Sequence, residues 1–291
     1  MLKKLLVKKK QTEIGLYLGD KQIALCHSQQ GKIILLAKKT VNSEKQWAEL
    51  FSTFVDQFQL TGNAISVVLG REFYQTFDIE KPKVDESELL ATLPFSIKDL
   101  ISESIFDQVV DYVDMPFQQR KGEQVTAICV PRSRVLMIRD MVLSSGCQLN
   151  GITIEELALA RLLGVHEEAN ILLSQQKNEL VLTVVKEGQL YFTHRLRGFN
   201  DLLVLPLEEV ENALLDGLSL EIQRALDYIS SQLRINAIGA LYLAVICPDI
   251  KLLSEKLGTY LARNVLPFGE DNEYDFLSLM AYGAIPLEEQ Q

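Results

Sequence analysis

The sequence has few cysteines, few histidines and no long apolar run, and each shortage excludes something. Cys26, Cys129, Cys147 and Cys247 stand far apart, with no Cys-x-x-Cys pair. Such spacing fits neither a zinc site nor a dense disulfide framework, and isolated thiols in a chain of 291 residues suit a reducing compartment. The longest apolar stretches, such as Ile33–Ala37 and Ile238–Cys247, fall well short of the roughly 18 residues needed to cross a bilayer. The first residues are charged but lack the apolar stretch and small-residue cleavage site of a secretory signal. A soluble cytoplasmic protein is therefore expected. His27, His166 and His194 stand at no metal-ligand spacing and in no glycine-rich nucleophile turn, so surface or hairpin positions are expected for them.

Basic charge is also in deficit. Lys and Arg number 29 against 39 Asp and Glu, a net charge of −10. So acidic a surface repels phosphate backbones and argues against nucleic-acid binding. The exception is the start, where Lys3, Lys4, Lys8, Lys9 and Lys10 occur without an acid. Leu2, Leu5 and Leu6 fall on one side of a helix there, beside Lys3 and Lys4. Residues 1–12 are thus expected to form a basic amphipathic leader that touches an anionic membrane surface, each lysine contributing about 1 kcal/mol.

What is present is a core-forming composition, 47% hydrophobic and 23% charged, and an alternation of strand and helix signals. Glu13–Leu18, Gln22–Ser28 and Lys32–Val41 are short runs rich in Ile, Leu and Val. They are broken by Gly19-Asp20 and by Gln30-Gly31, which have hairpin-turn chemistry. Trp47, Leu50, Phe51, Phe54, Val55 and Phe58 recur at helical spacing behind Ser43, an expected N-cap. Ala64–Leu69 follows as a buried strand. Residues 71–150 depart from this plan, with strands expected at Glu72–Ile79, Phe106–Asp114 and Glu123–Val130 and helices at Val84–Ile101 and Pro131–Ser145. After residue 150 the first plan returns: strands at Ile171–Ser174, Glu179–Lys186 and Gln189–Arg197, a long helix within Leu207–Leu233, and a strand at Ile238–Cys247. Beyond these come a helix at Ile250–Leu257, a strand at Tyr260–Leu266 and a helix at Asp275–Tyr282. A β-β-β-α-β plan therefore occurs twice, the first copy carrying an α/β insertion.

That duplicated plan is the one used by the actin/Hsp70/FtsA superfamily, and several segments resemble PilM-type pilus assembly proteins. They are the basic-apolar leader running into Ile14–Gly19, the hairpin from Asn170 to Arg197, the segment Glu221 to Tyr228, and the closing Tyr274–Gly283. The cytoplasmic half of the secretion protein GspL is similar in plan. The resemblance implies an actin-like α/β fold with a first lobe over 13–165, its insertion at about 71–150, and a second lobe over 166–291. It implies a non-enzymatic cytoplasmic scaffold, peripheral to the inner membrane, that binds the cytoplasmic tail of a single-pass, PilN-like assembly protein. Homo-oligomerisation is left open. The alternative is an actin-superfamily ATP-binding protein or ATPase, FtsA-like or kinase-like.

Members of that superfamily that bind ATP need an Asp on the first strand and glycine-rich turns where backbone N–H groups meet phosphates. Here Tyr17 stands at the position of that Asp, and Asp20 follows Gly19 in the first turn. Ser174 stands at the acid position of the second loop and Gln176 at its glycine; Ile246-Cys247 replaces the glycine pair of the third. No cofactor is therefore expected, and Gly19 and Gly188 are taken as hairpin-turn glycines. This pattern most resembles the variety serving the mannose-sensitive haemagglutinin (MSHA) pilus. In the resembled family the groove between the insertion and the first lobe receives the short tail of a membrane partner. Arg71, Phe73, Tyr112 and Arg120 are the expected contacts, and charge reversal at Arg71 or Arg120 is expected to weaken binding without lowering the melting temperature. Glu155-Glu156 is expected on the solvated face of a short helix.

Overall fold

The computed structural model describes residues 12–116, 123–176, 179–210, 212–245, 247–269 and 276–286. The leader residues Leu2, Lys3, Lys4, Leu5 and Leu6, and Arg120, lie outside the described residues. In chain order the strands and helices of the first part are β1 (Thr12–Leu18), β2 (Gln22–Gln29), β3 (Lys32–Thr40), α1 (Trp47–Phe58) and β4 (Ala64–Leu69). Then come β5 (Gln75–Glu80), α2 (Glu86–Ser96), β6 (Gln108–Asp114), β7 (Gln124–Pro131), α3 (Arg132–Ser144), β8 (Gln148–Ile154) and α4 (Glu155–Leu163). The remainder is β9 (Ala169–Gln176), β10 (Glu179–Lys186), β11 (Gln189–Leu196), α5 (Asp201–Val204), α6 (Asn212–Ser231), β12 (Ile238–Ala244), α7 (Ile250–Leu261), β13 (Val265–Pro267) and α8 (Phe276–Gly283).

The chain divides into two compact units. The first gathers the described residues up to Phe73, Ser133–Ala158, and the segment from Leu277. Its five-stranded sheet has the order β3-β2-β1-β4-β8. The three leading strands are antiparallel, and β1, β4 and β8 run parallel. Two-residue turns at Gln30-Gly31 give the tight connection, both residues at positive φ (54° and 70°), the pattern whose twist matches a hairpin. From α1, Trp47, Phe51, Phe54 and Val55 are buried. Ser43 accepts from the Lys45 N–H as expected, though it caps a 3-10 turn, Glu44–Gln46, that leads into α1.

The second unit gathers Tyr74–Arg132 and Leu159–Phe276. Its five-stranded sheet, β11-β10-β9-β12-β13, repeats the plan of the first in order and in direction. The inward stripe of α6, Leu215, Leu218, Ile222, Leu226 and Ile229, packs on Ile171, Leu173, Leu182 and Leu243 in one core. Tyr74–Arg132 forms a separate three-stranded antiparallel sheet, β5-β7-β6, whose core includes Leu89, Leu93 and Val125. Among the described residues no helix is long and apolar enough to cross a membrane.

Several boundaries differ from the sequence expectation. The insertion is Tyr74–Arg132 rather than 71–150, because α3 lies in the first unit from Ser133 and β8 pairs in parallel with β4. β8 was not expected: its Asn150-Gly151 interrupts the apolar pattern, and more than half of its residues are polar or glycine. The closing segment from Leu277 groups with the first unit, not with the second lobe. Arg71–Phe73 is a 3-10 turn ahead of β5, and Ile105–Asp107 is another ahead of β6. α2 covers only Glu86–Ser96 of the helix expected to Ile101, with Pro94 inside it. α7 runs on to Leu261, which continues the buried spacing of Leu253 and Leu257, so Tyr260 is helical and β13 is short.

Candidate functional site

In open α/β sheets, ligand sites form beyond the carboxyl ends of parallel strands, where the chain turns away and backbone groups are left to meet something. In the first unit Leu18, Leu69 and Ile154 are aligned across β1, β4 and β8. The residues that follow them are Gly19-Asp20, Gly70-Arg71-Glu72 and Glu155-Glu156. The strand register therefore brings together Tyr17, Gly19, Arg71, Glu72, Glu155 and Glu156 from three separate stretches of sequence.

The Tyr17 hydroxyl donates to Glu155 Oε1 at 2.9 Å, and the pair is buried. Arg71 Nε lies 3.3 Å from Glu156 Oε1. Trp47 Nε1 donates to the Gly19 carbonyl at 3.2 Å, and the Gly70 N–H donates to the Leu18 carbonyl at 2.8 Å. Glu72 Oε2 is buried without a hydrogen bond. Glycine is required at two of these positions by close approach. A Cβ on Gly19 would lie 2.8 Å from Tyr17 Cε1, and one on Gly70 would lie 3.0 Å from both Glu72 Oε2 and the Leu18 carbonyl oxygen. Gly19 lies in the β1–β2 hairpin turn as expected, its N–H donating to the Gln22 carbonyl at 3.0 Å with the Tyr17 ring beside it, and Gly188, with Glu187 at positive φ before it, is likewise the hairpin-turn glycine expected.

Electrostatically the cluster gathers three carboxyl groups, Glu72, Glu155 and Glu156, with the Arg71 guanidinium paired to Glu156. Burial, and next the Glu156 charge, push the Glu155 carboxyl up to about 8, against the Tyr17 hydrogen bond, which pulls the other way. Burial and then the Glu155 charge raise the Tyr17 phenol well above its ordinary range. The arrangement therefore keeps protons at the site, and the Arg71 guanidinium is already paired with Glu156. Among the described residues no group of His, Cys, Asp or Glu is placed to hold a metal ion.

Glu155 and Glu156 correct the sequence expectation of a solvated pair, since they are only 9% and 6% exposed. They open α4 directly after β8, where free N–H groups at a helix start favour carboxylates. Two acids following an apolar strand end were the signal available.

The remaining expected residues are dispersed. Asp20 is exposed in the turn between β1 and β2. Ser174 is buried inside β9, which extends through Gln176 and so takes up most of the expected second loop; its hydroxyl donates to the Val181 carbonyl at 3.4 Å. The Gln176 side chain lies outside the described residues. Cys247 packs against the core of the second sheet, with burial raising its thiol. Of the expected partner contacts, Arg71 is tied to Glu156, and Phe73 is a core residue. Trp47 meets the Phe73 ring edge-on at 4.8 Å, and the Arg134 guanidinium covers it at 4.9 Å. Neither is a free surface contact. Tyr112 is half-buried on β6, donates to Glu86 at 2.6 Å, and lies under Lys81. His27 is half-buried on β2, its imidazole lowered by burial.

No protein-family model matches the chain, and no curated protein matches it. Solved structures do. A PilM-PilN type IV pilus biogenesis complex matches at 16% identity, covering 94% of this chain and 97% of that one, with TM-score 0.65. The cytoplasmic domain of EpsL, an inner membrane component of the type II secretion system of Vibrio cholerae, matches at 14% identity over 93% of each chain, with TM-score 0.50. A protein from Bacteroides thetaiotaomicron with an actin-like ATPase fold and unknown function matches at 13% identity, covering 96% and 98%, with TM-score 0.53. The fold is actin-like.

Proposed function

We propose that this chain is a non-enzymatic scaffold of a type IV pilus assembly machine. In this reading it works in the cytoplasm beside the inner membrane and holds the cytoplasmic tail of a single-pass assembly protein of the PilN kind. The observation that carries the reading is the Tyr17–Glu155 pair, which fills the carboxyl ends of β1 and β8 where an actin-like ATPase would admit metal and phosphate. The likeness in fold to the PilM-PilN complex supports it. Loss of nucleotide chemistry in a fold of this kind leaves binding as the remaining work. Among such scaffolds we assign it to the MSHA-type variety, MshI-like, on the strength of its altered loops. The basic leader is then a helper that draws the protein to anionic lipid.

The test is isothermal titration of the full chain with a peptide copying the cytoplasmic tail of the PilN-type protein from the same organism. Saturable binding in the micromolar range, near −8 kcal/mol, is expected. No heat of binding, while the same tail binds another cytosolic pilus component, would overturn the reading.

A further inference from the structure

Among the described residues β3 lies at the end of the first sheet and has β2 as its single strand neighbour. A row of open N–H and C=O groups on such an edge invites another chain to pair, and proteins blunt long edges with charge, proline or bulges. This edge is only partly blunted. It runs for nine residues and contains no proline, and Ile33–Ala37 is unbroken apolar sequence. The bulge between His27 and Ser28 leaves Ile34 as the extra residue, 55% exposed.

Its charge is the reverse of the molecule's. Between Asp20 and Glu44 there is no Asp or Glu, while Lys21, Lys32, Lys38 and Lys39 lie in that interval of a chain with net charge −10. The acid aligned with this hairpin on the next strand inward, Glu13, accepts from the Ser28 hydroxyl at 3.0 Å. Lys39 extends over the Phe54 ring of α1. Among the described residues the edge thus combines a side with no strand partner, apolar side chains and lysines.

We propose that the β3 edge is a docking site for an extended peptide segment of a partner protein, apolar at alternate positions and acidic between them, added as a sixth strand. Strand addition supplies the backbone partners, and acids on the incoming strand meet the lysines. A second copy fits less well, because antiparallel pairing of two β3 strands would set Lys32 of one against the Lys38-Lys39 end of the other, and facing like charges destabilise a sheet. A lipid surface fits less well again, because hydrocarbon cannot satisfy open backbone groups. The inference needs no named partner and is independent of the pilus reading.

The test uses the full chain and a fluorescein-labelled nonapeptide of alternating valine and glutamate, followed by anisotropy. Saturable micromolar binding that weakens as salt rises is expected. A valine–lysine peptide should fail, and N-methylation of alternate residues should weaken binding at least tenfold. Ile34→Glu and, separately, Lys32→Glu should each weaken it about tenfold with the far-UV circular dichroism unchanged. No saturable binding of the glutamate peptide, or equal binding of the lysine or N-methylated peptides, overturns the proposal. So does a dimer that Ile34→Glu abolishes without any peptide binding, or attachment to anionic vesicles through the same residue.

Discussion

At the scale of single residues, the site is governed by a proton that sequence alone would not place. Glu155 would ionise near 4.5 in the unfolded chain but is pushed up to about 8 in the folded one, by burial first and by Glu156 next. Between those values the unfolded chain releases the proton and the folded chain keeps it. Its contribution is therefore fully present below pH 4.5 and is lost as pH rises through about 8. Each tenfold change in proton activity is worth about 1.4 kcal/mol, so the window from 4.5 to about 8 spans on the order of 5 kcal/mol. Glu155→Gln keeps an acceptor for the Tyr17 hydroxyl without an ionisable group. Urea unfolding at pH 5, 6, 7 and 8 should show wild-type stability falling across the series relative to the variant. Parallel curves would mean that Glu155 titrates normally. Arg71 is the companion case. Because it pairs with a Glu156 side chain only 8% exposed, Arg71→Glu should lower stability by about 3 kcal/mol. That drop of several degrees in melting temperature, measurable by differential scanning fluorimetry, is opposite to the sequence-based expectation for a surface cation.

At the scale of elements, legibility followed hydrophobic contrast. The strands β1 to β4 and β9 to β12 and the helices α1 and α6 were readable because period-two or helical runs of Ile, Leu, Val and Phe end at turn residues such as Gln30-Gly31. β8 was not readable, for Asn150-Gly151 breaks its pattern and its place depends on pairing with Ala64–Leu69, far away in sequence. The candidate site was half readable. Tyr17 and Gly19 stood out, but Glu155 and Glu156 entered only once the strand register aligned three strand ends. The return of α8 to the first unit was equally invisible, since it depends on small residues meeting at a distance. A Cβ on Gly15 of β1 would stand 1.7 Å from the Ala281 carbonyl oxygen of α8, and one on Gly283 would stand 2.7 Å from the Ala158 carbonyl oxygen. Both obstacles are backbone, so neither can rotate aside. Gly15→Ala should therefore cost about 3 kcal/mol or more. Gly31→Ala meets nothing within 4 Å and has only its φ of +70° against it, so it should cost about 1 kcal/mol. Chemical denaturation of the two variants ranks them, and equal losses would mean that the β1–α8 contact gives way easily.

At the scale of the whole molecule, two lobes share one plan, and the question is whether either still supports nucleotide chemistry. In the first unit Tyr17 lies against Gly19, and the Arg71 guanidinium is paired with Glu156. In the second, Ser174 donates into its own sheet from inside β9, and Cys247 is drawn against the core. Each of these side chains is tied to a packed neighbour, and Mg-ATP binding is therefore not expected of either lobe. A protein that binds Mg-ATP gains about 2.7 kcal/mol at a ligand concentration 100-fold above the dissociation constant. For a chain of this size that corresponds to a rise of roughly 5–10 °C in melting temperature. Millimolar Mg-ATP is expected to move the transition by less than about 1 °C, a gain too small for tight binding. A saturable rise with Mg-ATP that magnesium alone does not produce would show that a nucleotide enters despite Tyr17, and the scaffold reading would then give way to the ATPase one.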